Sequence, residues 1–176
     1  MRRSLALAVL LASTPAYAGD ADEQALVVLG GLNLGQARHD DNTGFLLGGE
    51  LSVAFTHVMG DHRWSKADAS PIPFGNIDPV FWGGLYADVT RDFAADFTRM
   101  SIGPELGFTM LGVDGGLLAQ FGDDNRFGWT VRPVLTVGVI SLYWRHGKFT
   151  DEMPNASFNE IGVLLKWGRP VWERVE

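Results

Sequence analysis

Apolar residues alternate with small or polar residues between positions 43 and 56, where the chain reads TGFLLGGELSVAFT. Every second residue from Phe45 to Phe55 is apolar or glycine, whereas the positions between them include Gly48, Glu50 and Ser52. Because successive side chains of a β-strand point to opposite faces, this period of two predicts a strand with one apolar and one polar face. The stretch is also longer than the usual globular strand of about 5–6 residues.

The same alternation recurs along the chain and predicts an all-β fold of eight antiparallel strands in up-and-down order. Polar turns at 37–42 and 122–126 and tight turns at Gly112 and Gly138 separate the strands. No helical period is present, and no apolar run reaches the roughly 18 residues of a transmembrane helix. The predicted strands are 25–36, 43–56, 80–90, 98–111, 113–121, 127–137, 140–147 and 157–167.

The polar face of these strands is rich in glycine and carries charges of both signs. This composition is typical of the narrow interior of a small barrel, where eight strands leave room for side chains but for no wide pore. Buried ions must be paired, because an isolated partner costs about 3–5 kcal/mol. The predicted interior ion network consists of Glu50, Asp88, Arg99, Glu105, Asp114, Arg132, Arg145, Glu160 and Lys166.

The apolar face carries aromatic residues near the strand ends and mainly aliphatic residues or glycine in between. Up-and-down order gathers the strand ends into two rings, which is the arrangement of an aromatic girdle at each lipid–water interface. In the alternative interpretation, these aromatics close the core of a soluble periplasmic binding barrel. The predicted girdle residues are Phe45, Phe55, Phe81, Phe108, Phe121, Phe127, Trp129, Trp144 and Trp167.

The N-terminus has the pattern of a secretory signal peptide. Arg2 and Arg3 precede an apolar run at 5–12, and an A-x-A box at 16–18 predicts cleavage after Ala18. A retained signal anchor is the alternative. Residues 19–176 are then one barrel domain, with strands over about 25–167 and a short C-terminal tail at 168–176.

Charge and cysteine content narrow the function further. The net charge of −7 is the opposite of what a nucleic-acid-binding chain needs. Cysteine is absent, so an exported form of this chain has no disulfide framework.

Over residues 25–167 the chain resembles a small eight-stranded outer-membrane β-barrel of the OmpA/OmpX type, at the level of pattern. The resemblance implies a monomer without cofactor in the outer membrane of a Gram-negative bacterium. Its partners would be outer-membrane lipid, lipopolysaccharide and the outer-membrane assembly machinery. Such barrels usually end on an aromatic residue that this machinery reads, either Trp167 here or Trp172 if the last strand extends into the tail.

Two features depart from that pattern. The connection at 58–77, which contains Pro71 and Pro73, is long where the resemblance implies a short periplasmic turn. Pro104 and Pro133 fall inside predicted strands, where each removes a ladder hydrogen bond, and we expect each to lie at a β-bulge that faces lipid.

Sites of chemistry are weakly indicated. His57, Asp61 and His62 have carboxylate and imidazole ligands for a metal, but their spacing matches no strong signature. Ser141 and His146 fall on opposite faces of one strand, which disfavours a lipase-like pair.

The acidic outer connections either hold divalent cations that bridge lipopolysaccharide phosphates or are solvated turns. Their acidic residues are Asp40, Asp41, Asp92, Asp96, Asp123, Asp124, Asp151 and Glu152.

These patterns together predict a non-enzymatic outer-membrane β-barrel with a structural or surface-interaction role, whose interior is filled by ion pairs. The alternatives are a barrel enzyme acting on lipid A or phospholipid, and a narrow channel for small solutes. The sequence names no ligand.

Overall fold

The computed structural model describes residues 23–39, 42–58, 80–151 and 156–175. The predicted signal peptide, almost all of the 58–77 connection, and Asp61 and His62 of the possible metal site lie outside these ranges. No helix within the described part is long and apolar enough to cross a membrane.

Eight strands form a single sheet that closes on itself. Each strand pairs antiparallel with the next one in the chain, and the last pairs with the first. The predicted all-β, up-and-down barrel of eight antiparallel strands is therefore confirmed. The strands are β1 (Glu23–His39), β2 (Asn42–Val58), β3 (Val80–Asp92), β4 (Phe97–Phe108), β5 (Leu111–Phe121), β6 (Arg126–Val137), β7 (Ile140–Phe149) and β8 (Ser157–Val175).

The barrel has two rims, which are defined by the strand ends that lie at each of them. We call the end that holds the start of β1 and the end of β8 the terminal rim; β2, β4 and β6 end there, and β3, β5 and β7 begin there. The opposite end, where β1, β3, β5 and β7 end and β2, β4, β6 and β8 begin, is called the loop rim.

The predicted tail at 168–176 is wrong over residues 168–175, because β8 continues to Val175. β1 begins early enough that the backbone of Glu23 pairs with that of Val175. The register slips by one residue where Leu26 pairs with Trp172 and Val27 with Pro170. Such a bulge accommodates the proline, which has no N–H to give to the ladder.

Pro104 and Pro133 do not lie at bulges, so that prediction is wrong. The ladder between β4 and β5 is interrupted at Pro104, and the ladder between β6 and β7 at Pro133, yet the register is the same on both sides of each gap. The missing N–H removes hydrogen bonds locally, and no extra residue is needed to restore the pairing.

The turn between β4 and β5 is also displaced from its predicted place. β4 ends at Phe108 rather than at 111, and Thr109, which has a φ of 52°, begins the turn. Its N–H donates to the carbonyl oxygen of Val80 at 2.6 Å. Periodicity alone does not detect this bend, since Thr109 and Met110 continue the alternation.

Burial is inverted relative to a water-soluble protein. The outward-facing leucines at 85, 111 and 117 are 64–72% exposed, whereas Arg132 and Arg145 are 0% exposed. Apolar side chains also reach the interior in two small clusters. One cluster, near the loop rim, consists of Leu118, Phe149 and Phe158, and the other, nearer the terminal rim, of Val134, Tyr143 and Leu164.

Candidate functional site

Arg132 of β6 lies at the centre of a charge network inside the barrel. Its Nε donates to Oδ2 of Asp114 at 2.7 Å and its Nη2 to Oε2 of Glu50 at 2.6 Å. Its Nη1 lies 3.5 Å from Oδ2 of Asp88. One guanidinium thus faces three carboxylates from three other strands, an arrangement that suits the five donors of arginine.

Arg145 of β7 extends the network toward the loop rim. It forms an ion pair with Asp88, and its Nη1 lies 3.2 Å from Oε1 of Glu160. The other oxygen of that carboxylate accepts from Nη1 of Arg99 at 3.1 Å. The guanidinium of Arg99 in turn lies 3.5 Å from the ring centroid of Phe158, where cation–π attraction is strong because water is excluded.

Lys166 of β8 extends the network toward the terminal rim. Its Nζ lies 2.7 Å from Oε1 of Glu50 and donates to Oε2 of Glu105 at 2.9 Å. The network therefore runs without a break from Arg99 to Glu105. The structure brings all nine predicted interior residues into it.

The charges of the network are unevenly distributed around the wall: four of its five acids lie on β2 to β5 and three of its four bases on β6 to β8, with Arg99 of β4 and Glu160 of β8 as the exceptions. Glu50 of β2 is directly opposite Asp88 of β3, and Glu105 of β4 is opposite Asp114 of β5. Like charges directly opposite each other destabilise a sheet. Here the neutralising bases come from β6, β7 and β8, so the ion pairs cross the lumen and join one half of the wall to the other.

Several uncharged interior residues belong to this site and were missed by the search for charges. Tyr86 and Tyr143 flank Arg132, whose guanidinium carbon is 5.2 and 5.4 Å from their ring centroids. Ser101 donates to Asp88 at 2.6 Å. Each occupies a position that the alternation of its strand assigns to the inward face, so this alternation predicts its place in the interior.

Glycines allow the largest interior ring to fit near the terminal rim. A Cβ at Gly107 would lie 2.1 Å from the Trp82 ring, and one at Gly112 would lie 2.5 Å from it. Real Cβ atoms do not approach this closely, so both positions require glycine for Trp82 to occupy the lumen.

The nine aromatic residues predicted for the girdle all lie on the outer face and are exposed, from 39% for Phe55 to 62% for Phe127. Phe81 and Phe108 are register partners near the terminal rim. Phe93 also faces outward and stacks on Phe45 at 6.0 Å between ring centroids. Phe93 lies in the turn that follows β3, outside the predicted strands, so the alternation along the strands does not identify it.

The possible catalytic pair does not meet. Ser141 is buried and shares a hydrogen bond of 2.9 Å with Thr136, whereas His146 faces outward. Of the possible metal ligands, only His57 is within the described residues, so that hypothesis stays untested. Elsewhere in the described part, no group of three or more histidine or acidic side chains is arranged to hold a metal ion.

The fold and the network define a class: a small, closed, antiparallel β-barrel of eight strands whose lumen is occupied by buried ion pairs. No protein-family profile, curated protein or solved structure matches the chain. The resemblance to barrels of the OmpA/OmpX type therefore rests on the sequence pattern alone.

Proposed function

We propose that this chain is a non-enzymatic β-barrel protein of the Gram-negative outer membrane, with a structural or surface-interaction role. The observation that carries the proposal is the inverted burial of the barrel. Soluble monomers rarely expose a contiguous apolar patch of more than a few hundred Å². Here exposed apolar side chains follow one another around all eight strands.

A lipid environment accounts for this surface. Burying one leucine or phenylalanine side chain contributes about 1.5–3 kcal/mol, and a barrel with an outer face of this kind in water would go without that stabilisation. In hydrocarbon the same face costs nothing, and a closed barrel satisfies every backbone group that lipid cannot. β4 and β7 have 12 and 10 residues, close to the 9–11 that a tilted strand needs to span a bilayer.

The interior supports a structural role over the two alternatives. A channel needs a continuous polar path, but Arg132, Arg145 and Tyr86 are at most 1% exposed in the middle of the lumen. An enzyme of lipid needs a nucleophile and a base that converge, and Ser141 and His146 lie on opposite faces.

The test is gel mobility of the outer-membrane fraction, compared with and without boiling. A detergent-resistant closed barrel keeps its shape in the unboiled sample, so we expect the protein in this fraction with a mobility that changes on heating. An aliquot unfolded in urea before loading is the control, and it should run like the boiled sample. A protein that is released as a soluble periplasmic species, with no heat-dependent mobility, would contradict the proposal.

A further inference from the structure

The outer face of the barrel changes character near the loop rim, on the strands β7, β8 and β1. Up to Trp144 and Ile161 the outward residues are apolar and exposed. The next outward positions toward the loop rim are polar or cationic. We call the group Arg38, His146, Lys148 and Asn159 the cationic patch.

The ladder places these four residues next to one another. Asn159 of β8 is opposite Arg38 of β1 on one side and His146 of β7 on the other. Because neighbouring strands lie about 4.7–4.9 Å apart, the Cα atoms of Arg38 and His146 are separated by about 10 Å. Lys148 lies two residues further along β7, on the same face.

Two tryptophan rings border the cationic patch, Trp144 on its apolar side and Trp129 beside it on β6. The ring centroids of Trp129 and Trp144 lie 5.9 and 6.2 Å from that of His146. Trp129 is also the register partner of Lys148. Indole rings favour the headgroup level of a bilayer, which puts the patch at the depth of lipid phosphates.

The charge of the patch is one-sided. The chain is acidic overall, with a net charge of −7. Yet none of the described outward-facing residues on these three strand ends is acidic. Nδ1 of His146 lies 3.1 Å from Oδ1 of Asn159, and the two side chains share a hydrogen bond. Nε2 is the ring nitrogen not engaged in it.

We infer that the cationic patch binds the phosphate-bearing headgroup of an anionic lipid in the leaflet at the loop rim. Guanidinium and ammonium groups donate charge-assisted hydrogen bonds to phosphate oxygens, and the tryptophans contact the apolar part of the same lipid. This inference rests on the proposed function, since it requires the barrel to span a bilayer.

The test uses the folded mature chain in phosphocholine-headed micelles, observed by NMR. Short-chain phosphatidylglycerol is titrated in, and the indole N–H signals of Trp129 and Trp144 are followed. We expect these two signals to shift with phosphatidylglycerol but not with phosphatidylcholine or inorganic phosphate. Trp82 in the lumen and Trp167 toward the other rim serve as internal references.

A double variant assigns the binding to the patch. In Arg38→Gln with Lys148→Gln, the apparent affinity for phosphatidylglycerol should fall about 5-fold for each charge removed, since each basic residue near an anionic surface contributes about 1 kcal/mol. Arg91→Gln is the matched control. This variant removes one charge at the same rim but on β3, away from the cationic patch, so it should leave the affinity unchanged.

The failures of the two proposals are distinguishable. Three results from a heat-modifiable barrel would overturn the lipid site and leave the proposed function standing. The indole signals could respond to phosphatidylcholine as strongly as to phosphatidylglycerol, or to inorganic phosphate as strongly as to phosphatidylglycerol. They could also respond to phosphatidylglycerol in the double variant as strongly as in the unsubstituted chain. A chain that never acquires a heat-modifiable fold would overturn both.

Discussion

Arg132 faces more carboxylates than any other base of the charge network. It faces Asp114, Glu50 and Asp88, and all three are buried, with side-chain exposures of 3%, 0% and 0%. A buried ion pair adds little net stability over an apolar pair of the same shape, but the loss of one partner leaves a charge without compensation. The effect of a substitution here is therefore set by the acids left behind.

Replacement of Arg132 by leucine should lower the free energy of unfolding by about 3–5 kcal/mol while membrane targeting is unaffected. The measurement is urea-induced unfolding in vesicles, followed by tryptophan fluorescence, together with fractionation of the expressed variant. Unchanged stability would argue against the ion network as a stabilising element.

Arg126→Leu is the matched control for that experiment. Arg126 makes two hydrogen bonds to Asp151, of 2.7 and 2.6 Å, but the pair lies at the loop rim, where the side chain of Asp151 is 30% exposed. Water can solvate the remaining carboxylate, so we expect a smaller loss than for Arg132→Leu, of about 1 kcal/mol.

At this scale the sequence predicted which charged residues face the interior but not which of them meet. Parity along a strand is a local property, and it placed residues such as Asp88 and Arg145 correctly. Their pairing depends on which strands face each other across the lumen, and this follows from closure and stagger of the whole sheet. Tyr86 and Tyr143 were missed because they carry no formal charge.

Among the elements, β8 shows why strand existence is easier to predict than strand ends. Gly168 and Pro170 interrupt the alternation just after Trp167, where the predicted strand ends. The strand continues because β1 offers backbone partners from Leu29 back to Glu23, and a bulge at Val171 absorbs the proline. The end of a strand thus depends on whether the adjacent strand offers backbone partners. The local sequence pattern contains no information on this pairing.

A chain that ends after Trp167 should convert to the unfolded, boiled form at a lower temperature than the full chain. The truncation removes the partner of the first seven residues of β1, 23–29, and exposes their N–H and C=O groups on one side. Gel mobility after heating at a series of temperatures measures the effect.

Trp172→Ala separates backbone pairing from the contribution of one side chain. This variant keeps the ladder between β8 and β1 and loses only an exposed indole, so its conversion temperature should be close to that of the full chain. If the truncated chain and the full chain convert at the same temperature, the segment after Trp167 does not act as part of the strand.

For the whole molecule, the filling of the lumen decides whether ions or small solutes can cross the barrel. Eight strands enclose just enough space for side chains. Near the loop rim, Leu118, Phe149 and Phe158 pack together inside the wall, and the charge network follows below them. The charged groups of the network bind one another in ion pairs, so they are not free to solvate a permeating ion.

The reconstituted barrel should therefore give no steady single-channel current in a planar bilayer. The comparison is a bilayer with vesicles that lack protein, and insertion is verified separately by heat-dependent mobility of the recovered protein. Reproducible conductance steps that depend on the folded protein would favour the small-solute channel over a structural role.

The division of charge between the two halves of the wall has a consequence for how the molecule comes together. Every acid of β2 to β5 in the network finds its base on β6, β7 or β8, and Arg99 of β4 finds its acid on β8. The half that leaves the ribosome first thus holds charges that it cannot neutralise by itself. Closing the sheet and balancing its charge become a single step, so half-built barrels are disfavoured and folding should be all-or-none.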